Sequence, residues 1–200
     1  MKKSLFTFIL TWFIYFNLLA QNNNDLLVVL HQETLNKLLT AIGEISGNAE
    51  YTVMYIKGNY TWKLNNTEIK LVKDSAFFST DVTVKTGFDT YTDHVNGKMS
   101  ITYNQQTNQI AIRVADAVFE LRVGILGREY KIKSVQLADY LSSAFMFEGP
   151  KTMSNEMVFV MPDGKEKKII VKPSACVLRI VENQIIVASE LYFKEKIDKK

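Results

Sequence analysis

The chain has 200 residues, 24 Lys and Arg against 21 Asp and Glu, a formal charge of +3, and 47% hydrophobic residues with only three prolines. That length fits one domain plus a targeting segment, and the composition favours a folded chain over a disordered one. The nearly balanced charge is no argument for nucleic acid, which requires a concentrated basic patch, and the single cysteine, Cys176, excludes an internal disulfide and a thiolate zinc cluster.

Lys2 and Lys3 precede an apolar run from Leu5 to Leu19, and small Ala20 precedes Gln21-Asn22-Asn23-Asn24. That is the layout of a secretory signal peptide. The run is shorter than the ~20 apolar residues of a membrane span, and Thr7, Thr11 and Asn17 interrupt it. The expectation is a signal peptide over 1-20, cleavage near Ala20, a single domain over 21-200, and residence in a periplasm or outside the cell. Without Lys2 and Lys3, 22 basic residues face 21 acidic ones, so the mature chain is nearly neutral.

Leu26–Leu30 reads as a first strand, apolar enough for burial on both faces. His31–Gly47 reads as the one long helix. Leu35, Leu38, Leu39, Ile42 and Ile45 form its apolar stripe, and Glu33, Asn36, Lys37, Thr40 and Glu44 occupy the other face. Gly47 is its expected terminator, while Gly43 weakens the last turn or lets a strand approach. An isolated helix of this length is marginal in water, so the stripe requires a sheet to hold it.

From Ala49 on, the apolar period changes to two. Strands are expected up to Gly58-Asn59, from Tyr60 to Asn65-Asn66, and over Ile69–Val72 with a turn at Lys73-Asp74. Phe78, Thr80, Val82, Val84 and Thr86 share one face of the next strand, and Val95, Gly97, Met99, Ile101 and Tyr103 one face of another. Asn104–Asn108 is a polar turn. Ile110, Ile112 and Val114 point one way, but Phe119, Leu121 and Val123 fall on the opposite parity. Such a shift within one strand predicts a bulge near Ala115–Ala117. Gly124 and Gly127 bracket a turn, and Tyr130–Lys133 is a short strand. Helical spacing predicts a second, shorter helix over Leu137–Phe147, ended by Gly149-Pro150. Met157–Met161 and Lys168–Lys172 flank the turn Pro162-Asp163-Gly164. The last strands are Cys176–Val181 and Gln184–Phe193, joined at Glu182-Asn183.

Catalytic signatures are missing from the sequence. His31 sits at the strand-to-helix junction, and His94 has only Asp93 as a local partner. Neighbours in a strand face opposite ways, so that pair chelates poorly. No Gly-x-Ser-x-Gly and no glycine-rich phosphate loop occurs, and Cys176 sits in apolar Ala175–Leu178 without a local histidine. The chain therefore reads as non-catalytic, with no cofactor, no metal and no nucleic acid partner. Tyr51, Tyr55, Tyr60, Trp62, Phe77 and Phe78 read as sheet packing rather than a carbohydrate platform. Met54, Met99, Met146, Met153, Met157 and Met161 are flexible fillers that suit either an adaptable pocket or an ordinary core.

The strand and helix from Leu27 to Ile45, with Asn36-Lys37-Leu38-Leu39 inside it, resemble the start of the tubular lipid-binding (TULIP, BPI-like) superfamily in its small bacterial periplasmic form. Gly97–Tyr103 and Ile110–Ala117 are similar to that family's central strands. The resemblance implies an α+β fold in which a highly curved antiparallel meander sheet wraps a long N-terminal amphipathic helix, with lipid or another apolar small molecule in the groove. It carries no catalytic residues. The residues expected to line the groove are Leu35, Leu38, Leu39 and Ile42 from the helix with Val82, Val84, Met99, Ile101, Ile112 and Val114 from the strands. The alternative is a cell-envelope structural or interaction module with a filled core, no small-molecule ligand and a protein partner.

Overall fold

A computed structural model describes residues 24–53, 55–87, 89–125, 128–141, 144–152 and 154–196. The expected signal peptide lies outside the described residues, as do Met54, Met153 and Gly127. Strand β1 (Leu26–His31) leads into helix α1 (Gln32–Ile42). A meander follows: β2 (Ile45–Val53), β3 (Ile56–Val72), β4 (Ser75–Thr86), β5 (Thr90–Asn104), β6 (Gln109–Ile125) and β7 (Arg128–Gln136). The remainder is helix α2 (Leu137–Tyr140) and strands β8 (Phe145–Glu148), β9 (Glu156–Val160), β10 (Glu166–Pro173), β11 (Val177–Val181), β12 (Gln184–Ser189) and β13 (Leu191–Glu195).

The expected α+β class is overturned. Strand accounts for 71% and helix for 9%, and the main antiparallel sheet curls into a half-barrel around its own side chains, not around a long helix. Helix α1 stops at Ile42 because Gly43 takes a φ of 79°, a left-handed conformation that glycine alone adopts readily. Ile45 and Gly47, read as helix stripe and terminator, belong to β2 and pair with Leu64 and Trp62 of β3. Of the expected second helix only Leu137–Tyr140 forms, while Phe145–Glu148 pairs with β6.

Two expected turns are also absent. Strand β3 runs unbroken through Gly58-Asn59, where a Cβ on Gly58 would stand 2.6 Å from the Tyr51 ring. That glycine makes room for an aromatic on the neighbouring strand. Asn65-Asn66 is a bulge, with Asn66 at φ 50° and the β3–β4 register shifting there. The bulge expected near Ala115–Ala117 does form. Lys98 pairs with Asp116 and Met99 with Val114, leaving Ala115 unpaired. Strand β1 is less enclosed than its sequence suggested, with Leu27 exposed. The single last strand expected to reach Phe193 breaks at Glu190. Its first part, β12, lies between β1 and β11, and its second, β13, pairs with β10 beside β9.

Two cores result. One fills the curl of the half-barrel with Trp62, Tyr60, Val82, Val84, Phe119 and Leu121 among others. The other joins Leu35 and Leu39 of α1 to Ile69, Leu71, Ile112 and Ile185. The helix is fixed by two polar residues, Gln32 and Asn36, the second of which was expected on its solvent face. β2 pairs with β3 only as far as Leu64, which leaves the rest of that β3 edge open. The Asn36 carboxamide accepts from the Ile69 N–H (2.8 Å) and donates to the Ile69 carbonyl (3.2 Å), while Gln32 Oε1 accepts from the Leu71 N–H (2.7 Å). Asn36→Ala strands two backbone groups beneath the helix, so it is expected to cost about 1–3 kcal/mol, read as a lowered midpoint in urea unfolding.

Candidate functional site: an apolar cavity between the two cores

The two cores do not meet completely. Between them lies a cavity of about 260 Å³, lined by Leu39 and Ile42 of α1, Ile45, Ile69, Phe78, Met99 and Val114 of β2 to β6, then Tyr140, Leu141 and Phe145. Leu39 and Ile69 belong to the helix-side core, Phe78 and Val114 to the half-barrel core, and Met99 packs against both. The bulge at Ala115 builds part of this wall. It lets Val114 and Ala117, three residues apart, both turn into the half-barrel core. The volume exceeds the ~150 Å³ of an apolar cavity that takes benzene. It falls just under the ~300 Å³ at which pockets for drug-sized ligands begin.

The residues expected to line the groove separate into two groups. Leu39, Ile42, Met99 and Val114 meet at the cavity. Leu35, Val82, Val84 and Ile112 are fully buried in side-chain packing, and Leu38 and Ile101 are half-buried away from it. Ile45, Ile69, Phe78, Tyr140, Leu141 and Phe145 were missed. Phe78 was visible on the same strand face as Val82, whereas Ile45 was hidden in the apparent helix stripe. Tyr140, Leu141 and Phe145 were hidden in a helix that ends after its first turn.

One edge of the cavity is polar. The Tyr140 ring stands edge-on to Trp62, 5.2 Å between centroids. Burial, then the neighbouring Tyr60, pushes the Tyr140 phenol up. The Tyr60 and Tyr140 hydroxyls are neighbours without meeting at hydrogen-bond geometry. The Tyr51 and Tyr60 hydroxyls and the Trp62 indole N–H are buried, with no hydrogen-bond partner among the described residues. These three side chains share one face of the β2–β3 pair. Trp62 stands over Gly47, Tyr60 opposite Ala49 and Tyr51 over Gly58. Lys133 extends above them, its Nζ 5.3 Å from the centre of the Tyr60 ring.

The remaining polar groups lie elsewhere. His94 Nδ1 is 2.8 Å from Asp81 across the β4–β5 pair, not bound to Asp93. Hydrogen bonds from Asn66 and then His94 hold the Asp81 carboxyl below its ordinary range. Asp93 instead takes Arg122, whose guanidinium also stands 5.3 Å from the Tyr91 ring centre. Cys176 is half-buried, 3.3 Å from the Tyr103 hydroxyl. Among the described residues no three His, Cys, Asp or Glu side chains gather where they could hold a metal ion. A larger groove of about 670 Å³ is lined by Asn36, Thr40, Glu44 and the polar stretch Asn65–Glu68 together with Leu39, Ile45 and Leu64, a mixed wall that suits water better than an apolar guest. On the separate β13–β10–β9 sheet, Met157, Val158, Phe159, Val160 and Met161 are all exposed. No helix among the described residues is long and apolar enough to cross a membrane. No known protein family, no curated protein and no solved structure matches this chain.

Proposed function

We propose that the protein is a non-catalytic carrier or sensor for a small lipid-like molecule. The cavity between the two cores would hold the ligand in a periplasm or outside the cell. The observation that carries this reading is a single cavity wall built from ten side chains, nine of them wholly apolar and the tenth Tyr140. An apolar chain placed there gains about 25 cal/mol per Å² removed from water, less the cost of association and ordering. The leader-like layout of residues 1–20 supports export.

Ile42→Glu tests the reading. Ile42 is 45% exposed yet lines the cavity, so the charge costs little stability in the free protein but must be buried against a bound chain. Affinity for an environment-sensitive fatty-acyl fluorophore is expected to fall about tenfold or more, with the unfolding midpoint nearly unchanged. Unaltered affinity would remove the ligand from this cavity.

A second reading, an envelope interaction module without a small ligand, is favoured by the five exposed apolar residues on and beside edge strand β9. Such an edge pairs readily with another chain. It predicts a protein that excludes the fluorophore altogether and loses its association on Phe159→Lys.

A further inference from the structure

The apolar cavity ends at Tyr140, and beyond Tyr140 the chemistry changes from contact surface to hydrogen-bond donors. The Trp62 indole can only donate. The Tyr60 hydroxyl is buried and unpartnered among the described residues. The Tyr140 phenol, raised by burial, keeps its proton at neutral pH. Lys133 adds a cation that makes no ion pair among the described residues and rests on the Tyr60 ring. The acidic side chain felt at Tyr140 is Asp139, next to it in the chain, and its influence there is smaller than that of Lys133. Buried donors without acceptors are costly, so a group that satisfies them is bound with the cost relieved.

We infer that the ligand is a single-chain anionic amphiphile, its tail in the Leu39–Phe145 cavity and its acidic head between Tyr140, Tyr60 and Lys133. This rests on the cavity being the binding site. The volume of about 260 Å³ admits one medium-length chain. The head receives charge-assisted hydrogen bonds from groups already in place. Lys133 reaches it along its apolar stem while keeping contact with solvent.

The test compares decanoate with decanol, which share a tail and differ in the head. Isothermal titration calorimetry on the mature protein at neutral pH is expected to show decanoate bound about tenfold more tightly. Lys133→Met and Tyr60→Phe should each reduce that preference to about twofold or less, by weakening decanoate far more than decanol, whose hydroxyl takes weaker hydrogen bonds from the same groups. Lys133→Arg should retain it, and it should fade as pH falls far enough to protonate the carboxylate. Decanoate and decanol bound equally tightly, with Lys133→Met indifferent, would overturn the anionic head and leave the cavity reading standing. Neither compound binding would overturn both.

Discussion

Gly97→Ala is expected to be among the most destabilising single-methyl additions in the molecule. A Cβ at Gly97 would stand 2.1 Å from the Asp116 carbonyl oxygen and 2.6 Å from the Ala117 Cβ. The first of these is backbone, held in register by the β5–β6 ladder where Gly97 pairs with Ala117. A flexible side chain could swing aside, but a paired strand cannot. Relief requires β5 and β6 to part beside the Ala115 bulge, where the register already shifts. The cost is expected at about 3 kcal/mol or more, a large share of the ~5–15 kcal/mol available to a typical domain. Urea unfolding followed by far-UV circular dichroism should show a midpoint far below that of the parent protein. An unchanged midpoint would mean that the two strands are not packed this closely.

Trp62→Ala is the second large effect. Trp62 is 1% exposed, packs against Phe119 and Tyr140 with centroids 6.4 and 5.2 Å away, and covers Gly47. Truncation removes a buried ring system and leaves a void that a curled, hydrogen-bonded sheet cannot close, at about 3–5 kcal/mol. Trp62→Phe separates packing from polarity. It keeps most of the bulk and deletes an indole N–H that has no partner among the described residues, so it should cost far less than the alanine. If the two variants unfold at the same denaturant concentration, the ring is not filling the half-barrel. The only other tryptophan, Trp12, lies within the leader-like segment. In protein prepared without residues 1–20, Trp62 fluorescence therefore reports on both folding and events at Tyr140.

Much of the strand pattern could be read from periodicity. The face shared by Phe78, Thr80, Val82, Val84 and Thr86 is the buried face of β4. The parity change after Val114 does mark the bulge at Ala115. The turns at Lys73-Asp74, Asn104–Asn108, Pro162-Asp163-Gly164 and Glu182-Asn183 also stand, with Asp74, Asn108, Gly164 and Asn183 all at positive φ. These signals are local, set by residues close in the chain.

What failed depended on partners distant in sequence. Gly43, Gly47 and Gly58 are chemically identical, yet Gly43 ends a helix while Gly47 and Gly58 lie beneath Trp62 and Tyr51. Only the β2–β3 register distinguishes these roles. Asn36 read as solvated because nothing local reveals that β3 is left open beside it. The candidate site shows the same limit. Met99 and Val114 share the inward orientation of Val82 and Ile112, but opposing side chains fill the space at Val82 and Ile112 and leave a gap at Met99 and Val114. A gap is a property of two facing surfaces, and one strand's pattern describes only one of them.

The most direct measurement is methyl NMR on protein labelled at Ile, Leu and Val, titrated with decanol. Binding in the cavity should shift the methyls of Leu39, Ile42, Ile45, Ile69, Val114 and Leu141, which line it. The methyls of Val82, Val84 and Ile112, packed in the filled cores, should stay in place. Shifts confined to Val158 and Val160 would put the apolar guest on the exposed β9 edge, and no shift at any methyl would contradict ligand binding by this protein's cavity.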